Sequence, residues 1–126
     1  MADIIIISPA GRDAQQLAQV LESLQHTTHL ISSSSEAVIY LRQIPASLVI
    51  AECDMEGRSG LEIMLELRKT LGENMPPFVL MGPVSQSREG GAAIREGAAG
   101  FLPRPIDARE AALIVTRALG ESEVTE

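Results

Sequence analysis

Short apolar, β-branched runs alternate with longer segments of helical period along almost the whole chain, and this alternation restricts the fold more than any other feature. The opening run, Asp3 to Ile7, is four isoleucines without polar alternation. Such a strand suits the middle of a parallel sheet covered by helices on both faces. Leu17, Val20, Leu21 and Leu24 then recur at i, i+3, i+4 and i+7, which predicts a helix over roughly 11–25. Further strands are expected at 29–32, 48–51 and 78–81, with a fifth beginning at Phe101.

Helix starts are marked by local chemistry. Ser33 with Glu36, and Ser59 with Glu62, have the Ser-x-x-Glu spacing that satisfies free amides reciprocally. Asp107 has the acceptor type of an N-cap, with Glu110 three residues on. Gly97 suits the left-handed residue that ends a helix over about 85–96. Gly90 and Gly91 lie inside that helix, each at a cost of about 1 kcal/mol, and predict local mobility there. Five strands and five helices in strict order make an α/β fold: a doubly wound five-stranded parallel sheet in a three-layer, flavodoxin-like sandwich. Its ligands would gather at the C-terminal strand ends.

Composition narrows the function. At 126 residues and 45% hydrophobic the chain suits one domain, and 17 acidic against 10 basic residues give a net charge of −7 that repels nucleic acid. One Tyr, two Phe and no Trp leave no stacking platform for single strands. No apolar stretch approaches the ~20 residues of a membrane span. A cytoplasmic protein is expected, since Cys53 is the only cysteine and the N-terminus lacks the basic flank of a signal peptide. His26 and His29 have no third ligand at a telling distance, and no metal or cofactor site is expected.

The residues just after the strands carry the remaining information: Ser8 and Pro9, Glu52, Gly82 and Pro83, Arg104 and Pro105. Read locally, Ser8 is a helix cap with Pro9 in the first turn, and Gly82 with Pro83 shapes a turn. Glu52 is either a solvated strand-end carboxylate or the ion-pair partner of Arg104; glutamate's reach and the forked guanidinium favour a pair within about 6 Å. Asp54 reads as an exposed polar residue and Cys53 as a small buried hydrophobe.

Three stretches in this order resemble the receiver domain of bacterial two-component response regulators. In SLVIAECDMEGRSGLE, from Ser47 to Glu62, a glycine stands eight residues beyond the position of the family's phosphoacceptor aspartate, which makes Glu52 the phosphoacceptor equivalent. GAAGFLPRPID, from Gly97 to Asp107, is similar to the Gly-Ala run, strand and Lys-Pro pair of the family, with Arg104 at the lysine. PPFVLMGP, from Pro76 to Pro83, resembles the fourth strand with its switch Thr or Ser replaced by Gly82. Phe101 takes the switch-aromatic position and lacks the phenol.

The resemblance covers residues 3–119 and implies a receiver-like domain over 1–119, followed by a flexible acidic tail at 120–126. It also implies that the pocket of Ser8, Pro9, Glu52, Gly82 and Arg104 is degenerate. The acidic pair that helps hold magnesium in the family is Ser8 and Pro9, and proline offers no side-chain ligand. The expected function is a phosphorylation-independent signalling module, not an enzyme, that binds a protein partner through the fourth helix, fifth strand and fifth helix, or forms a homodimer. The alternatives are a phosphorelay receiver still under phosphorylation control, with Asp54 or another group as acceptor, and a small-molecule-binding flavodoxin-like domain.

Overall fold

The isoleucine run forms the centre of the molecule. In the computed structural model, which describes residues 2–9, 11–55 and 58–120 without the side chains of Asp54 and Met55, strand β1 (Asp3–Ile7) is flanked by parallel strands on both sides. The others are β2 (Thr27–Ile31), β3 (Leu48–Glu52), β4 (Phe78–Pro83) and β5 (Gly100–Arg104), in the order β2-β1-β3-β4-β5. Helices α1 (Arg12–Ser23), α2 (Ser34–Gln43), α3 (Gly60–Leu71), α4 (Ser87–Arg95) and α5 (Ala108–Ala118) connect them or close the chain. The expected five-stranded, three-layer α/β sandwich is the fold. Of the tail expected at 120–126, all but Gly120 lies outside the described residues.

Because strand side chains alternate in direction, one run serves two cores. Ile4 and Ile6 pack with Leu17, Leu21, Ala111 and Val115 on the α1/α5 side; Ile5 and Ile7 pack with Ile63, Met64, Leu67 and Ala93 on the side of α2, α3 and α4. All four isoleucines are fully buried, each adding about 1.5–3 kcal/mol.

The second strand starts two residues earlier than expected, because the sheet register pairs Asp3 with Thr27. Strand β4 runs on through Gly82 and Pro83, which pair with Pro103 and Arg104, so these residues end a strand and do not shape a turn. The turn comes after them, as a 3-10 segment at Val84–Gln86.

The caps form as the spacing predicts, with one difference. Ser59 and Glu62 make the full reciprocal box, and these hydrogen bonds hold the Glu62 carboxyl below its ordinary pKa. Ser33 accepts from the Glu36 amide, but the Glu36 carboxylate is taken up by the hydroxyls of Ser32 and Ser33. Asp107 accepts from the amides of Arg109 and Glu110. Replacing Asp107 by Ala is expected to lower stability by about 1 kcal/mol in urea unfolding, since both amides then lose their acceptor.

The two glycines of helix α4 stand in different surroundings. A Cβ on Gly90 would lie 2.5 Å from two atoms of the Phe101 ring, so the missing side chain is what lets β5 approach the helix. At the far end Gly97 adopts φ +114°, as expected, and Arg68 of α3 reaches across to donate to the Glu96 carbonyl. At Gly90, then, the missing side chain serves close packing.

Candidate functional site

The C-terminal strand ends bring together residues distant in sequence. Glu52 is the last residue of β3 and only 6% exposed; Arg104 ends β5, and Ser8 follows β1. Arg104 Nη1 donates to Glu52 Oε1 at 2.6 Å, and Ser8 Oγ donates to Glu52 Oε2 at 3.2 Å. The carboxylate is therefore held on both oxygens, and the pairing of Glu52 with Arg104 prevails over the solvated reading. The peptide between Arg104 and Pro105 is cis.

Ser8 is not a helix cap. Helix α1 begins at Arg12 with Gly11 before it and no side-chain cap, and the Ser8 hydroxyl points across the sheet to a partner 44 residues away. Pro9 likewise precedes the helix and is not in its first turn. One site residue was missed: Asp13, in the first turn of α1, places Oδ2 3.6 Å from Arg104 Nε. Its visible signal was an acidic residue in a first helical turn, a position the helix dipole favours without any site. A cleft of about 280 Å³ lies over this group, lined by Ser8, Pro9, Gly11, Arg12, Asp13, Ala14, Glu52 and Arg104.

Electrostatically the site is a shared-cation cluster. Burial pushes the Glu52 carboxyl above its ordinary pKa; Arg104 and the Ser8 hydroxyl pull it back, and the charge of Asp13 pushes it further up. The donor set does not fit magnesium. Pro9 contributes nothing, the Ser8 hydroxyl and both Glu52 oxygens are committed, and a guanidinium stands at 2.6 Å from the one carboxylate at the family's metal positions.

Other expected residues fall elsewhere. Cys53 is buried, as its apolar reading requires. His29 lies 3.3 Å from Asp3 Oδ1 and against the Tyr40 ring, while His26 Nδ1 accepts from the Ala2 amide. Among the described residues no group of three His, Cys, Asp or Glu could hold a metal ion. Asp54 and Met55 pair with Arg58 and Ser59 in a short antiparallel ladder, and Arg58 ties that loop to Ser34 and Glu66; the Asp54 side chain lies outside the described residues. Phe101 is partly buried against Gly90. No helix among the described residues is long and apolar enough to cross a membrane.

Solved structures share this arrangement of strands and helices. A response regulator from Chloroflexus aurantiacus superposes with a TM-score of 0.85 at 18% identity, covering 95% of this chain and 98% of that one. The receiver domain of NtrX from Brucella abortus gives 0.84 at 24% identity, covering 95% and 100%. The chemotaxis response regulator CheY4 of Vibrio cholerae gives 0.77 at 17%, covering 94% and 98%. Comparison with curated protein sequences returns no match. The model of the response regulator receiver domain matches residues 4–116, nearly the whole described chain, and the chain therefore belongs to the response regulator receiver domain family.

Proposed function

We infer that this receiver domain signals by docking to a protein partner, without accepting a phosphoryl group at its strand-end pocket. The observation that carries the reading is the 2.6 Å contact between Arg104 and Glu52. The protein's own cation and the Ser8 hydroxyl already pair with both oxygens of this carboxylate. Phosphoryl transfer rests on positioning and on charge stabilisation by a metal, and neither Ser8 nor Pro9 supplies a carboxylate for one. The output surface is the face of α4, β5 and α5, where Ile94 is 48% exposed and Leu113 is also exposed. A protein partner or a second copy fits such a face better than nucleic acid, given the net charge of −7. The same reading places the domain in the cytoplasm.

The test is nuclear magnetic resonance of the labelled domain with magnesium and beryllofluoride. Magnesium is expected to bind with a dissociation constant weaker than about 1 mM, because Glu52 and Asp13 are both already paired with Arg104 and do not offset the dehydration of this ion. Beryllofluoride is expected to leave the strand-end resonances in place. Glu52→Asp, which restores an aspartate, should stay unresponsive because Ser8 and Pro9 are unchanged. Micromolar magnesium affinity centred on position 52, or shifts spreading from there to α4, would return the domain to phosphorylation control, through Glu52 or through Asp54.

A further inference from the structure

Gly82 is buried near the end of β4, and a Cβ built on it would lie 2.9 Å from Cys53 Sγ, 3.2 Å from Cys53 Cβ and 3.0 Å from Gln86 Oε1. The glutamine oxygen is the end of a flexible side chain and can move. The Cys53 backbone is held in place: its amide donates to the Met81 carbonyl at 2.8 Å, its carbonyl accepts from Gly60 at 2.7 Å, and the residue is 1% exposed. The thiol therefore occupies the space that any side chain at position 82 would need.

The neighbourhood makes that space consequential. In the β4–β5 register Leu80 pairs with Phe101 and Gly82 with Pro103, so Phe101 and Gly82 share one face of the sheet. Cys53 belongs to the core cluster on that face together with Leu80 and Ala93 of α4, and Phe101 packs against the same cluster. The Phe101 ring is seated on Gly90 at one end of this face, and Cys53 fills the space beside Gly82 at the other.

We propose that Cys53 is a steric plug: by filling the volume beside Gly82 it holds the end of β4, the Phe101 ring and α4 in a single arrangement. This device deepens the reading of a receiver that signals without accepting a phosphoryl group and rests on it for its significance, but its test contains no phosphodonor. The plug can therefore fail while the pocket remains inert, and the reverse also holds.

The experiment is a double-mutant cycle of Gly82→Ala and Cys53→Ala followed by urea unfolding, with relaxation-dispersion measurements on the parent and on Cys53→Ala. Gly82→Ala is expected to lower the folding equilibrium constant at least about fivefold more in the parent than in the Cys53→Ala background. Equal factors in the two backgrounds, within twofold, overturn the plug. Where Gly82→Ala does not fold in either background, the relaxation data decide. Cys53→Ala should introduce microsecond-to-millisecond exchange at residues 84–101 that the parent lacks; exchange already present in the parent, or absent from both, overturns the proposal.

Discussion

Arg104→Met is expected to remove about 3 kcal/mol of stability at pH 7, because it leaves a buried carboxylate without its counter-charge. Methionine keeps much of the arginine's apolar stem, so the loss reports charge more than packing. Glu52 has an escape, which sets the ceiling: it can take up a proton, and at pH 7 neutralising a carboxyl of ordinary pKa costs about 3.5 kcal/mol. At pH 5 the same neutralisation costs about 1 kcal/mol or less, and the destabilisation should shrink accordingly. Urea unfolding of parent and variant at the two pH values checks this. An equal loss at both would mean that Arg104 acts through packing.

The complementary change should be mild. Burial already outweighs Arg104 and Ser8 in the parent, so the folded pKa of Glu52 lies above that of the unfolded chain. A raised carboxyl contributes stability that is full below the unfolded value and lost as pH rises through the folded value. Burying the charged form is thus a burden that Arg104 and Ser8 reduce without removing. Glu52→Gln should change stability at pH 7 by no more than about 1 kcal/mol, since Arg104 retains Asp13 and glutamine can still accept from Ser8. Glu62 has the opposite sign: its lowered pKa gives a contribution present above the unfolded value and lost as pH falls through the folded one.

The second large effect separates two adjacent glycines. Gly90→Ala is expected to destabilise the domain by about 1–3 kcal/mol through overpacking against the Phe101 ring. Gly91→Ala should stabilise it by about 0.5–1 kcal/mol, because the nearest atom a Cβ would meet is Arg95 Nη1 at 3.8 Å and the helix gains alanine's lower backbone entropy cost. Thermal unfolding should therefore move in opposite directions, by roughly 4 °C per kcal/mol for a domain of this size. A shared sign would show that helix propensity, and not contact with Phe101, governs this segment. Phe101→Leu offers a second check: in that background Gly90→Ala should lose much of its penalty.

What could be read along the chain was whatever is caused by near neighbours. The run Ile4 to Ile7, the stripe of Leu17, Val20 and Leu21, whose expected fourth member Leu24 instead ends the helix and is exposed, the Ser59–Glu62 box, the Asp107 cap and the turn at Gly97 all involve partners within a few residues, so their spacing in the sequence is their geometry. The Glu52–Arg104 pair was accessible for a different reason: strict strand-helix order sends the ends of β3 and β5 to the same edge of the sheet.

Tertiary structure alone decided the rest. Ser8 before Pro9 has the look of a local cap, yet its hydroxyl serves a carboxylate 44 residues on; Asp13 looks like an ordinary first-turn acid until Arg104 is placed above it. The glycines are the sharpest case. Gly90 carries no atoms that announce a role and in a sequence registers only as a weak helix former, while Gly82 registers as a lost switch hydroxyl and a turn former, neither of which names its neighbour. Their reason is the space they leave to Cys53 and to Phe101, and the shape of that space exists only once elements far apart in the chain are pressed together.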